Sequence, residues 1–349
     1  IVSTTAQSEP LNPSKQKEFP TMTDPLLDYE NDLPIDLDPV DITAYKSGNT
    51  GIDYLHTLDS GQPGPHVLIS AVVHGNELCG AIAADWLLQQ KVMPIAGRLS
   101  IGFMNVAAYL SYDPEHPNRS RWVDEDFNRL WGPGVLDDPD RKVTSEVQRA
   151  REIRPFLDNV DLLLDIHSMQ QPCLPLMMAG MVTKGLELAA KVGLPATVVT
   201  DKGHNEGMRM RDYNAFRDPD SPRNALLIEC GQHWEATSTE MAKSVMVRFL
   251  HATAIMAPDF GAETLKSYPN PQGQNFYRVD EVVTIETNAF VFDQQWTGFE
   301  HLAKGTLIGH DGPRAIVAPF EPTVLIMPTR RLYPGKTAVR LAQPITPND

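Results

Sequence analysis

Two segments constrain the fold of this 349-residue chain more than any others. Val67-Leu68-Ile69-Ser70-Ala71-Val72-Val73 is an apolar run that ends in His74, with Glu77 three residues further on. Val160-Asp161-Leu162-Leu163-Leu164-Asp165-Ile166 is a second apolar run, and it ends in His167. Such runs predict strands buried on both faces, the kind found in a parallel sheet covered by helices. After Glu77 the residues Ala81, Ala83, Ala84, Trp86, Leu87 and Leu88 predict a helix. Both histidines are thus expected at carboxyl ends of strands, where open α/β sheets place their ligands.

The rest of the chain up to about residue 258 continues the alternation. Buried strands are expected at 66–73, 99–104, 160–166, 196–200 and 225–229, and helices at 77–90, 144–158 and 238–256. In the last helix Met241, Val245, Val247, Phe249 and Leu250 form a core-facing stripe. The expected fold is α/β, with a mixed, mainly parallel, helix-flanked sheet. Residues 106–143 are polar and aromatic and long for a connection, as functional loops are. Beyond about 265, short strand-like pieces at 282–285, 289–292, 315–317 and 323–327 alternate with Gly305, Gly309, Gly312 and Gly335. This predicts a small C-terminal all-β domain. The expected division is an N-terminal arm over 1–45, a main domain over 46–262 and the β domain over 263–349. The arm is rich in Ser, Pro, Asp and Glu; Leu26, Leu27 and Tyr29 are its candidate anchors, and the acidic stretch Asp24 to Asp41 its solvated face.

Composition limits the function classes. With 42% hydrophobic and 21% charged residues, the chain is an ordinary soluble one with a large core. A net charge of −15 disfavours bulk binding of nucleic acid or anionic membrane, but permits a small anionic substrate in a locally positive site. No apolar run reaches the ~18 residues of a membrane span. The cysteines Cys79, Cys173 and Cys230 match neither a disulfide framework nor a thiolate zinc site, which suits a reducing compartment, the cytoplasm. No signal-peptide pattern is visible, and the start at Ile1-Val2 leaves trimming open.

Further polar residues fall near the ends of the expected strands. Side chains three apart share a helical face, so His74 and Glu77 can address one cation; with His167 they make two nitrogens and a carboxylate, a catalytic zinc set with its fourth position open. Asp165 lies two residues before His167, on the same face of a strand, where it can orient the imidazole. Glu229 closes the apolar strand Ala225-Leu226-Leu227-Ile228, and such an acid is either ion-paired for structure or a general base with a raised pKa. Asn105 belongs to the same group by position. The run Arg121-Trp122-Val123-Asp124-Glu125-Asp126-Phe127-Asn128-Arg129 is either a solvated loop or a place where arginines grip carboxylates and stabilise an oxyanion. Taken singly, His74 could simply start a helix and His167 could be a core histidine.

In combination these segments resemble the succinylglutamate desuccinylase/aspartoacylase family, a branch of the zinc carboxypeptidase superfamily. Four elements match in order over about residues 50–260: His74-Gly75-Asn76-Glu77, Arg121 with Asp126-Phe127-Asn128-Arg129, Asp165-Ile166-His167, and Ile228-Glu229 with Gly231. Phe127 stands where the family usually has Leu. The resemblance implies that His74, Glu77 and His167 bind one zinc per chain. It implies that Glu229 activates the water, that Arg121 polarises the scissile carbonyl, and that Asn128 and Arg129 hold the carboxylate of the amino-acid part. Among Arg209, Arg211, Tyr213 and Arg217, one is expected to touch substrate. Ser168, after His167, departs from some relatives and leaves the acyl preference open. The expected activity is cleavage of an N-acyl amino acid (succinyl, acetyl or similar) to a carboxylate and a free amino acid. The alternative is a zinc carboxypeptidase for short peptides; a binding module with a degenerate site fits poorly with the intact set His74, Glu77, Arg121, His167 and Glu229. The expected partner is the small-molecule substrate alone, with self-association left open.

Overall fold

The computed structural model describes residues 31–203, 206–268 and 270–347. In chain order the strands are β1 (Leu55–Asp59), β2 (His66–Ala71), β3 (Arg98–Phe103), β4 (Leu162–Met169), β5 (Leu176–Met178), β6 (Thr197–Thr200) and β7 (Asn224–Gln232). They are followed by β8 (Asn275–Thr284), β9 (Phe290–Phe292), β10 (His301–Leu302), β11 (Leu307–Asp311), β12 (Arg314–Val317), β13 (Thr323–Ile326) and β14 (Thr337–Ile345). The helices are α1 (Leu78–Gln89), α2 (Val106–Leu110), α3 (Ser145–Leu157), α4 (Thr183–Val192), α5 (Ala236–Ala252) and α6 (Ala262–Ser267).

One mixed sheet runs in the order β1-β3-β2-β4-β7-β5-β6-β8-β14-β13-β10. Its centre, β3-β2-β4-β7, is parallel. The apolar sequence of these strands follows from cover on both faces. Val67, Ile69, Leu164, Ile166, Leu226 and Ile228 pack in one core cluster with Leu78, Ala81 and Ala84 of α1, Leu186 and Ala189 of α4, and Met241, Val245 and Phe249 of α5. Leu68, Leu163 and Ala225 point the other way, against Val147, Ala150, Ile153 and Leu157 of α3 and the loop residues Phe127 and Trp131. Each fully buried Leu, Ile or Phe here contributes about 1.5–3 kcal/mol through burial, so the sheet centre is a rigid base for whatever its strands carry.

The predicted alternation is present, with differences that have local causes. His167 and Glu229 lie inside their strands and not at the ends, because the β4–β7 pairing continues through Ile166↔Ile228, His167↔Glu229 and Met169↔Gln232. Glu77 caps α1 from just outside it. The short strand β5 and the helix α4 were not expected. β5 has three residues and runs antiparallel to β7, so it carries too little pattern to be read. The C-terminal strands β8, β14, β13 and β10 extend the main sheet through the parallel pair β6–β8, while β9, β11 and β12 make a separate antiparallel sheet. At the other terminus, Leu33, Ile35, Leu37 and Val40 pack against the main core while Asp32, Asp36 and Asp38 face outward. The candidate anchors Leu26, Leu27 and Tyr29 lie outside the described residues. No described helix is long and apolar enough to cross a membrane.

Candidate active site

The site forms where β2, β4 and β7 deliver their polar residues. Past the end of β2, the buried Val72 adopts φ 53°, the left-handed region that β-branched residues rarely enter. That conformation costs about 1–3 kcal/mol and is kept only where the surroundings impose it. Gly75 follows. A Cβ there would lie 2.3 Å from the Ala108 carbonyl carbon and from the Ser120 oxygen, so no other residue fits. Its N–H donates to the Arg121 carbonyl at 3.1 Å, tying the His74 turn to the arginine loop.

His74, Glu77 and His167 converge. Nδ1 of His74 is 2.7 Å from Oε1 of Glu77, and Nδ1 of His167 is 2.9 Å from Oε2 of the same carboxylate. One ligand atom from each lies within 4.8 Å of the others, and all three residues are buried. Each imidazole is held from behind by an aspartate. His167 Nε2 is 3.0 Å from Asp165 Oδ2, and Ser70 donates to the other Asp165 oxygen at 2.5 Å. His74 Nε2 is 3.0 Å from Asp126 Oδ1. Burial would raise the Glu77 carboxyl, but the two imidazoles hold it well below the usual range. Burial would likewise lower His167, but Asp165 and Glu77 hold it well above. Two ring nitrogens and a carboxylate thus meet at one buried point, the donor set a divalent cation would take.

Glu229 stands beside His167 on the next strand, and its buried Oε2 has no hydrogen-bond partner among the described residues. Burial, with Glu77 adding to it, pushes its carboxyl up to about 8. Arg121 reaches in from the loop, with Nη1 3.4 Å from Glu77 and Nη2 3.6 Å from Asp126. That charged loop is not a solvated one, because the buried Glu146 accepts from the backbone N–H groups of Val123, Asp124 and Glu125 and from the Asn105 amide. Asn105 is therefore a scaffold residue. Asn128 is buried, with its Oδ1 accepting from Met210 N at 2.7 Å. Arg129 bridges Asp126 at 3.6 Å and Glu206 at 3.7 Å.

His74, Glu77, Arg121, Asp126, Asn128, Arg129, His167 and Glu229 line one cavity of about 1270 Å³, while Asp165 and Asn105 stand behind its wall. Lys and Arg outnumber Asp and Glu in its lining, against the acidic balance of the whole chain. The sequence matches the succinylglutamate desuccinylase/aspartoacylase catalytic domain over residues 63–252. The chain belongs to this family. It is a family of deacylase hydrolases, so the protein is an amide-cleaving enzyme by descent. No curated protein matches the sequence. Among solved structures, the succinylglutamate desuccinylase of Vibrio cholerae is 17% identical with a TM-score of 0.61, over 84% of this chain and 86% of that one. The enzyme of the same name from Chromobacterium violaceum is 16% identical, TM-score 0.59, over 84% and 89%. Murine aminoacylase 3 is 19% identical, TM-score 0.57, over 81% and 96%. These three share the fold of this family member.

The structure separates the four candidates that spacing left open. Arg209 lines the cavity, buried and anchored on Asp201 at 2.5 Å and Asp212 at 2.7 Å. Arg211 is turned into the protein, bonded to Asp212 and to the carbonyls of Ala179 and Ala225. Tyr213 and Arg217 line a second cavity of about 780 Å³ with Trp131, Met181 and Met208. Sequence reasoning assigned no role to Asp126, although it sits two residues before Asn128 in the matched motif. It also passed over His233, Arg331 and Arg340, which come to the cavity through long-range contacts that no local pattern signals.

Proposed function

We propose that this protein is a zinc-dependent amidohydrolase that cleaves an N-acyl amino acid to a carboxylate and a free amino acid. The observation that carries this reading is the buried set His74, Glu77 and His167 with Glu229 next to it, whose buried Oε2 has no hydrogen-bond partner among the described residues. Zinc, when bound, supplies Lewis acidity and a lowered water pKa at this point. The chain's own residues do the rest. Asp165 and Asp126 face the far nitrogens of the two imidazoles, and with the ring protons held there both Nδ1 atoms would serve as ligands. Arg121 offers N–H donors to the oxygen of the scissile carbonyl as charge builds on it. Glu229 takes the proton of the attacking water and hands it to the leaving amine. Asn128 and Arg129 hold the α-carboxylate of the amino-acid part, the planar guanidinium gripping two oxygens at once.

The segment 263–349, proposed as a unit distinct from the hydrolase unit 46–262, lines part of the cavity with Trp296, Met327, Arg331, Lys336 and Arg340. A wall of this kind suits a small substrate better than a long peptide. Three unpaired cysteines support a cytoplasmic location. The test is metal and product analysis together. Purified protein loaded with zinc should hold about one ion per chain, and His74→Ala and His167→Ala should each lose most of it. A panel of acetyl-, succinyl-, formyl- and aromatic-acyl amino acids should release free amine with at least one member. Full metal occupancy in both variants would sink the ligand assignment, and a silent panel would sink the deacylase reading.

A further inference from the structure

The second cavity, of about 780 Å³, shares no lining residue with the catalytic one, but the two share a wall. The segment 208–212 runs between them: Met208 and Asp212 face the second cavity and Arg209 the catalytic one. A volume of this size lies within the range of roughly 300–1000 Å³ usual for small-molecule sites. The apolar part of the lining is aromatic and thioether. Trp131 is 1% exposed and meets Tyr213 edge to face, with ring centroids 5.4 Å apart. The Trp131 indole N–H donates to the Phe127 carbonyl at 3.0 Å, and the Tyr213 hydroxyl to Asp158 at 2.9 Å, so the polar ends of both rings are already satisfied. Met181 is 59% exposed although it is wholly apolar.

The charges of this lining do not cancel among themselves. Asp137 receives Arg154 at 2.5 Å. Asp201 receives Arg209, and Asp212 receives Arg209 and Arg211. The Asp218 carboxylate turns back to accept from the Asp220 N–H at 3.0 Å. Two exposed cations are left over, Lys202 and Arg217. Arg217 rests on a thioether, with Nη1 3.3 Å from Met208 Sδ. Neither cation forms an ion pair among the described residues, in a chain whose net charge is −15. A guanidinium set on a sulfur is poorly matched, and a carboxylate would match it at two points.

We propose that the second cavity is a separate binding site for a small monocarboxylate with a flat apolar body, an arylalkanoate. The carboxylate pairs with Arg217 and Lys202, while the ring packs on Trp131 and Tyr213 and against the flexible thioethers of Met181 and Met208. The inference is independent of the deacylase reading, since no step of the reaction uses these residues.

The test measures binding to the full chain by calorimetry. The probes are 3-phenylpropanoate and its near-isosteric neutral amide, 3-phenylpropanamide. Wild type should prefer the acid about tenfold or more, the size of a charge-assisted pair. Arg217→Ala and Lys202→Ala, at exposed positions where the fold tolerates truncation, should each remove most of that preference. Met181→Ser should weaken acid and amide alike by several-fold and leave their ratio unchanged. Arg129→Lys, which alters only the catalytic cavity, should change neither affinity nor ratio. A wild type that binds neither probe, or binds both equally, overturns the proposal. So does a preference that survives Arg217→Ala and disappears in Arg129→Lys, because the acid would then sit in the catalytic cavity.

Discussion

Two buried charge clusters lie a few residues apart in this protein and do opposite things. At the cavity wall, Arg209 and Arg211 are paired with Asp201 and Asp212. Asp212 receives both arginines, and although burial would raise its carboxyl, they hold it below the usual range. On the cavity floor Glu229 has no such partner among the described residues, and burial raises it to about 8. Both sites carry a desolvation cost. In one it is offset by ion pairs and yields a rigid wall; in the other it remains, and yields a carboxyl whose proton can move near neutral pH. The contrast explains why a buried acid is not by itself a catalytic sign: its partners decide.

The largest expected effect lies in the matched cluster. Asp212→Ala removes the carboxylate that Arg209 and Arg211 share and should destabilise the fold by about 3–5 kcal/mol, measured by denaturant unfolding; a loss under ~1 kcal/mol would show the network to be ornamental. Glu229→Gln should do the reverse, keeping fold and zinc while kcat falls on the order of 10²–10⁴-fold. An active variant would make Glu229 structural, like Asp212. The same substitution has a pH signature in the metal-free protein. The native carboxyl titrates near 8 and the unfolded one near 4.5, so the protonated group favours the native state. Stability from this group is fully present below about pH 4.5 and is lost as pH rises through 8. Unfolding curves of metal-free wild type should show that decline, and Glu229→Gln should flatten it.

Arg129→Lys keeps the charge but loses the two-point grip, and should cost about 1–3 kcal/mol in kcat/KM, mainly through KM. Substrates with an amidated α-carboxylate should be poor for wild type and show little further loss in the variant. The smallest effect is expected at Arg217, which faces the second cavity. Arg217→Ala should change kcat/KM by less than about twofold, and a large loss would mean that the substrate contact had been placed on the wrong arginine.

The sequence made the central parallel strands legible because they are buried on both faces and their apolar runs break at polar residues. His74, Glu77, His167 and Glu229 stood out for that reason. Asp126 did not, because an aspartate inside an acidic loop looks solvated until Glu146 is seen to pin that loop inward. Nor could spacing distinguish Arg209 from Arg211: they are two residues apart in one tight turn, and only packing sends one to the cavity and the other inward. His233 and Arg331 depend on contacts across many residues. Of the C-terminal strands, β9, β12, β13 and the end of β8 were readable, whereas β10, β11 and β14 were not, and the continuation of the main sheet hangs on the pairing of β6 with β8, which no local pattern encodes.

Gly75 links parts that the chain keeps far apart. Its missing side chain lets the His74 turn touch the backbone of α2 and of the arginine loop at once, and its N–H holds the Arg121 carbonyl. His74 and Arg121, proposed above as metal ligand and carbonyl-polarising group, therefore form one mechanical unit. A methyl group at this position, remote from any substrate, would spread the two apart together. Gly75→Ala would then resemble an active-site lesion in which every catalytic side chain is still present.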